Sequence, residues 1–255
     1  MKNRCKEKFL NGESVIGSFL HLGSSNVVEC MGLAGLDFVM FDAEHGPFET
    51  ESIADYIRAA KLRDITPMVR CKDCSRSAII KMLDIGAEAL VVPNINSVEE
   101  VKNLIEYGKY FPVGKRGIAF TRNSGWGTDE FARDLTSYIT TCNRETMLIP
   151  QCETVGCLEN IEEIANVPGI DGIFIGPFDL SSAIGKPGIF DEAFMAAVKR
   201  IIAACRAAEK PVWTYAADIK QAKAYLAAGY SGIAVNSDAY FLINAYKEMV
   251  HQIKG

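Results

Sequence analysis

The stretch Met147–Ser181, MLIPQCETVGCLENIEEIANVPGIDGIFIGPFDLS, constrains this chain most. Two short apolar runs, Met147–Pro150 and Gly172–Ile175, read as strands buried in a parallel sheet. Between them, Val155–Asn166 carries Leu158, Ile161, Ile164 and Ala165 at helical spacing. A strand–helix–strand unit with a right-handed crossover makes the two strands parallel. Polar residues follow each run without a packing reason: Gln151 and Glu153 after the first, Gly176, Pro177 and Asp179 after the second. Parallel strands deliver both acids to one carboxyl-terminal sheet edge, where α/β enzymes keep their chemistry. Two carboxylates brought together repel, so a positive group belongs between them, and a divalent cation with oxygen ligands is the simplest choice. The spacing alone also suits helix N-caps or first-turn acids.

The same alternation runs along the chain. Strands are expected at Ser14–Leu20, Phe38–Phe41, Thr66–Val69, Ala89–Val92, Val212–Tyr215 and Gly232–Val235, besides the two above. Helices are expected at Ser24–Leu36, Glu51–Arg63, Ser75–Ile85, Ser97–Tyr107, Phe131–Asn143, Asp191–Glu209, Ile219–Ala228 and Asp238–Lys254. Ser97 with Glu100 forms a capping box, and Gly86 suits a helix C-terminus. Eight strands alternating with helices over 255 residues, with no linker or charge block, predict an α/β fold. The expected architecture is a single (β/α)8 TIM barrel, one domain over residues 1–255. The runner-up, a doubly wound open sheet, wants a Gly-rich phosphate turn after its first strand, and HLGSSN at 21–26 is not one. The rhythm breaks at Phe111–Asp134, a Gly-rich segment holding Lys115, Arg116, Arg122 and Trp126. A loop this long in a compact domain is expected to serve function.

The net charge of −5 and the lack of a basic stripe argue against a nucleic-acid partner. The start, MKNRCKEKFL, lacks a signal-peptide apolar core, and no apolar run approaches a membrane span, so a cytoplasmic protein is expected. Eight scattered cysteines in a chain of this size fit reduced thiols. Cys71 and Cys74 form the one CxxC pair, and Cys152 with Cys157 has the wrong spacing to complete a structural zinc site.

The expected strand ends supply His21, Asp42, His45, Arg70, Asn94, Gln151, Glu153, Asp179, Tyr215 and Asn236. A barrel brings these to one face. His45 stands three residues after Asp42, close enough for the carboxylate to fix one imidazole tautomer and raise its basicity. Arg70 could hold a carboxylate or an enolate oxygen, or form a surface ion pair. No lysine stands directly at a strand end, which disfavours Schiff-base chemistry.

These residues fall in motifs that resemble the HpcH/HpaI aldolase family. The motifs are FDAEHGPFE (41–49), VR (69–70), LDIGAEALVVPNINSVEE (83–100), GKRG (114–117), IPQCET (149–154) and GIFIGPFDLSSAIG (172–185). The resemblance spans about residues 14 to 240. It implies a class II, metal-dependent aldolase that cleaves 2-keto-4-hydroxy acids to pyruvate and an aldehyde. Sugar-acid or heptanedioate substrates are both in view. It implies Glu153 and Asp179 as ligands of Mg²⁺, Mn²⁺ or Co²⁺, and Gln151 lining the pyruvate site. Gly176, Pro177, Phe178 and Asp179 become the turn whose backbone N–H groups hold the pyruvate carboxylate. His45 becomes the general base oriented by Asp42, Asp84 an acid raising its basicity, and Arg70 the enolate's partner. The resemblance also implies a homohexamer in which the last helix, 238–254, is shared between subunits. Phe178 departs from the alanine common in this turn, and Arg122-Asn123-Ser124 departs from the usual Arg-Ala pair. Both departures bear on the aldehyde, not on pyruvate. The other enzyme reading is an acyl-CoA-type carbon–carbon lyase, like the citrate lyase β subunit. A barrel that only binds a keto acid is the third.

Overall fold

The computed structural model describes residues 1–255. Its strands are β1 (Val15–Leu20), β2 (Phe38–Asp42), β3 (Thr66–Arg70), β4 (Ala89–Val92), β5 (Met147–Cys152), β6 (Ile173–Ile175), β7 (Val212–Ala216) and β8 (Gly232–Ser237). They close in sequence order into an all-parallel barrel, with β1 paired to β8. The helices are α1 (Arg4–Leu10), α2 (Ser25–Leu33), α3 (Thr50–Leu62), α4 (Arg76–Asp84), α5 (Val98–Gly108), α6 (Leu135–Glu145), α7 (Val155–Glu159), α8 (Ile161–Asn166), α9 (Pro177–Ala183), α10 (Glu192–Ala207), α11 (Ile219–Ala227) and α12 (Asp238–Lys254). The fold is the expected (β/α)8 barrel.

Period-two alternation divides each strand between two cores. Phe38 and Met40, Met68, Ala89 and Val91, Met147 and Ile149, Phe174, Trp213 and Ala234 fill the barrel interior. Their neighbours, such as Val39, Leu90, Leu148 and Ile175, face the helices in the larger outer core. Trp213 sets the interior's local shape. A Cβ on Gly232 would lie 2.1 Å from its ring, so only glycine fits beside it.

Two features depart from expectation, and a third concerns the last helix. The charged amino terminus forms α1, which stoppers the amino-terminal end of the barrel. Cys5 is fully buried, and Phe9 packs edge-on against Trp213 at 5.0 Å. Asn3 donates to the carbonyls of Glu88 and Glu145. The helix expected over 155–166 is two helices, broken at Asn160. Its side chain donates to the Gly156 carbonyl, a local bond that competes with helix continuation. Finally, α12 does not lie along its own barrel. Beyond Ala239 its residues are exposed except the half-buried Asn244, and Leu242, Ile243, Tyr246, Val250 and Ile253 face outward.

The Phe111–Asp134 segment lies between α5 and α6, so it belongs to the amino-terminal edge, opposite the βα loops. There Arg116 stacks on Tyr110 at 4.8 Å and pairs with Asp84 at 2.7 Å. Arg122 donates to the Ile85 carbonyl at 2.8 Å. The length of this loop suggests a functional role; the structure places it at the amino-terminal end of this chain's barrel, with Phe111, Ile118 and Trp126 exposed.

Candidate active site

At the carboxyl-terminal edge the inner-facing alternation continues past the apolar core. Phe38 and Met40 are followed by Asp42, Met68 by Arg70, Met147 and Ile149 by Gln151, and Trp213 by Tyr215. The same parity that buries the core therefore aims these polar side chains into one mouth. A cavity of about 280 Å³ lies there, lined by residues that include His21, His45, Arg70, Gln151, Gly176, Asp179 and Tyr215.

Asp42 and Arg70 are directly opposed in the β2–β3 register. Their side chains form a two-pronged pair, Arg70 Nε to Asp42 Oδ1 at 2.9 Å and Nη2 to Oδ2 at 2.6 Å. Burial opposes ionisation of Asp42, but Arg70 and the backbone N–H groups of His45 and Glu44 hold its carboxyl below the usual value. Arg70 also lies 3.4 Å from Glu44 and over the ring of Phe19. The guanidinium is thus fixed in plane before any ligand arrives.

His45 sits on the loop after β2, with its side chain 68% exposed. Asp42 does not hold its imidazole, as expected from the spacing. Its Oδ1 accepts the backbone N–H of Glu44 at 3.1 Å and of His45 at 3.3 Å, so it fixes the loop instead. The acid near the ring is Glu44, 3.8 Å from Nε2. Asp84 is not brought to His45 either. It ends α4 at the opposite edge and pairs with Arg116, because a helix after a barrel strand runs back to the amino-terminal side.

Glu153 is 3% exposed. Its Oε1 accepts the backbone N–H of Asn94 at 2.7 Å, and its Oε2 contacts the Gln151 amide. Burial first, then the Asp179 and Glu44 charges, push its carboxyl above the ordinary value. Glu44 is raised as well, by burial against the pull of Arg70. Glu153 is not a helix cap; Thr154 caps α7, accepting from Cys157 N at 3.0 Å. Asp179 is exposed in the first turn of α9, which Pro177 starts. A Cβ on Gly176 would lie 2.5 Å from Glu153 Oε2, so glycine keeps the space before this carboxylate clear.

One contributor escapes the sequence reading, and of another, Asn94, the sequence gives the place but not the role. Glu44 was passed over beside His45. Asn94 adopts φ +56°, which turns its backbone N–H to Glu153 while its side chain donates to Glu44 at 2.9 Å. A polar residue ending β4 was visible; its left-handed conformation was not.

The donor set suits a hard divalent cation. Glu153 and Asp179 bring carboxylates, and the buried Gln151 Oε1 has no hydrogen-bond partner. Burying ionised Glu153 beside two other acids is unfavourable unless a cation compensates. No three His, Cys, Asp or Glu side chains gather tightly enough to form a metal cage by themselves. Water and ligand oxygens would therefore complete the shell, as is usual for Mg²⁺. The CxxC pair plays no such part. Burial raises both thiols, Cys74 to about 11, and Cys74 Sγ donates to the Glu100 carbonyl.

The chain also matches known proteins. Residues 15–245 match the model of the family described as HpcH/HpaI aldolase/citrate lyase. The chain is 32% identical over 258 residues to a hydroxypyruvate/pyruvate aldolase of Pseudomonas aeruginosa, covering 99% of this chain and 93% of the relative. It is 32% identical over 261 residues to a 2-keto-3-deoxy-L-rhamnonate aldolase of Salmonella schwarzengrund, covering 100% and 94%. Its fold superposes on a crystal structure of an HpcH/HpaI aldolase/citrate lyase family protein from Burkholderia cenocepacia. The TM-score is 0.92 at 28% identity, with full coverage of both chains.

Proposed function

Because the chain belongs to the HpcH/HpaI aldolase/citrate lyase family, we propose that the β2–β3–β5–α9 mouth is the active site of a divalent-metal-dependent pyruvate aldolase. The enzyme is a carbon–carbon lyase that cleaves 2-keto-4-hydroxy acids to pyruvate and an aldehyde. The buried, raised-pKa Glu153 beside the unpartnered Gln151 oxygen carries this reading. Glu153 and Asp179 would hold Mg²⁺, Mn²⁺ or Co²⁺, with Gln151 alongside. When bound, such a cation supplies Lewis acidity toward the keto acid's oxygens.

The chain's own residues then divide the work. In the Gly176–Asp179 turn the backbone N–H groups of Phe178 and Asp179 are offered to the pyruvate carboxylate, since Pro177 has none and that of Gly176 donates to the Cys152 carbonyl, and Gly176 leaves room beside Glu153. His45 removes the proton of the 4-hydroxyl, directly or through a water. The C3–C4 bond breaks, C4 becomes the aldehyde carbonyl, and the electron pair passes to pyruvate as its enolate. Arg70, held by Asp42 and Glu44, faces the developing negative charge. Protonation at C3 completes pyruvate.

The same reading takes residues 1–255 as one barrel domain working as a homohexamer in the cytoplasm, with α12 shared between subunits. The exposed apolar length of α12 supports the sharing, and eight unpaired thiols support a reducing compartment. In such an assembly Asp84 could reach a histidine only on another copy, since within one chain it lies at the opposite edge. Light scattering that returns a monomer at micromolar concentration would remove this assembly.

A panel of 2-keto-4-hydroxy acids, assayed for pyruvate release with and without EDTA, tests the activity. Release should stop in EDTA and return with Mn²⁺, Co²⁺ or Mg²⁺. Full turnover in metal-free enzyme, with borohydride trapping a lysine adduct, would overturn the reading.

A further inference from the structure

Beyond the pyruvate half, the mouth is walled by aromatic rings. Phe178 lies 6.0 Å from Tyr215 and 5.7 Å from Phe190, tilted and edge-to-face. Phe190 packs on Phe194 at 4.8 Å, and Phe194 is 5% exposed in the outer core. On the other side Tyr215 leans on Phe19 at 6.2 Å, and Phe19 is rooted in the barrel interior. The rings form one continuous run, anchored in packed protein at both ends. Its middle is bare: Phe178 and Phe190 keep 53% and 44% of their surfaces exposed. Ring surface held in place yet left uncovered at a cavity mouth is suited to receive another apolar group.

Charge narrows the choice further. Arg70 is the one cation lining the cavity, and it is committed to Asp42 and Glu44. Asp179 stands exposed at the rim, with Glu44 and the buried Glu153 behind it. With Glu153 and Asp179 given to the cation, an aldehyde ending in a carboxylate would find no free lysine or arginine along this wall. A polyhydroxylated aldehyde would lay its hydroxyls against carbon, leaving their hydrogen bonds with water unreplaced.

We propose that the aldehyde half of this enzyme's substrate carries an aromatic ring seated on Phe178 and Tyr215, with Phe190 bracing Phe178 from behind. This rests on the pyruvate aldolase reading and specifies the acceptor within it. In the synthetic direction, C3 of the pyruvate enolate adds to the carbonyl carbon of an aryl aldehyde, and the carbonyl oxygen takes a proton to become the 4-hydroxyl.

The test uses the full-length enzyme with Mn²⁺, pyruvate and three acceptors: benzaldehyde, glyceraldehyde and succinic semialdehyde. Wild type should have a KM for benzaldehyde about tenfold below that for glyceraldehyde, with succinic semialdehyde the poorest. In Phe178→Ala the ratio of kcat/KM for benzaldehyde to that for glyceraldehyde should fall about tenfold; taking the ratio cancels the intrinsic reactivity of each aldehyde. Phe190→Ala, which removes only the brace, should move the same ratio the same way by less, and serves if Phe178→Ala does not fold. A lower KM for glyceraldehyde or succinic semialdehyde in wild type, or a ratio unmoved in the variants, would overturn the acceptor assignment. Exchange of pyruvate methyl protons with deuterated solvent by the wild-type enzyme separates the two levels. Exchange with the wrong acceptor preference removes only this inference, whereas no exchange removes the aldolase reading beneath it.

Discussion

The two edges of the barrel are both charged, and they use charge in opposite ways. At the amino-terminal edge, Arg116 is paired with Asp84 and stacked on Tyr110, Lys109 donates to the Asn143 carbonyl, and Arg122 donates to the Ile85 carbonyl. The cations there meet acids or carbonyls. At the carboxyl-terminal edge, Glu153 and Glu44 are held partly or wholly away from water with their ionised forms disfavoured, and Gln151 Oε1 has nothing to accept from. The first arrangement is largely paired and ties the chain to itself, with Arg116 Nε the one buried atom of these cations left without a partner. The second is incomplete, and its missing contacts are those that a ligand would supply.

The strongest way to break this comparison is to remove a carboxylate from the incomplete edge. Glu153→Gln should lower aldol cleavage by more than about 10²-fold, the scale for losing one preorganised electrostatic contact. It should nonetheless fold, since it removes a disfavoured charge. Wild-type turnover by this variant with unchanged metal dependence would refute the site.

His45→Ala divides the edge internally. Loss of a general base costs about 10²–10⁴-fold, and aldol cleavage needs that base for the 4-hydroxyl proton. Decarboxylation of oxaloacetate removes no such proton, so it should fall far less in His45→Ala. Arg70→Ala should damage both reactions, because both pass through the enolate. Parallel kinetics of the two reactions in His45→Ala would show that the histidine has another role.

At the amino-terminal edge the effect should appear chiefly in stability. Arg116→Met keeps the stem of the side chain but loses the ion pair and the stack on Tyr110. Because Asp84 keeps partial contact with water, the cost should be about 1–2 kcal/mol in urea unfolding. The folded protein should still exchange pyruvate protons at the wild-type rate. A loss of exchange equal to that of a top-edge variant would erase the distinction between the edges.

The smallest effect is a difference in sign with pH, read from urea midpoints in EDTA between about pH 3 and 7. The folded value of Glu153 is raised, so the native state holds its proton more tightly than the unfolded chain. Its contribution therefore falls as pH rises above the ordinary carboxylate value. Asp42 is lowered, so its contribution is present above the ordinary value and is lost as pH falls through its folded value. Glu153→Gln should flatten the loss on raising pH, and Asp42→Asn the loss on lowering it. Changes of the same sign in the two variants would contradict the opposite environments described for them.

Much of this was legible in the sequence, and the limits have physical causes. The eight strands were found because buried parallel strands are continuous apolar runs. Several were ended one or two residues early because their last residues are polar. Asp42, Arg70 and Gln151 still belong to strands; they leave the apolar pattern because they face the mouth, not the core. Period-two parity from Met40 to Asp42 or from Ile149 to Gln151 was the signal for this. The roles of Asp42 and Asn94 were not legible, since spacing does not reveal whether an acid meets an imidazole or its backbone, nor when a residue turns left-handed. For the long loop, length carries no information about which end of the barrel it occupies. Likewise α12 has the apolar content of a packing helix, and composition does not say against which surface it packs.

The stopper formed by α1 has a consequence in the order of synthesis. Phe9 is made well before its seat, Trp213 on β7, and Asn3 closes onto Glu145, 142 positions later. The ring itself closes only when β8 reaches β1. Helix α1 is thus made long before β7, and contacts of this separation form slowly. During that interval the underside of the nascent barrel, Trp213 included, is open. The stopper can therefore seat only after β7 has been made, whatever the state of the strands before it.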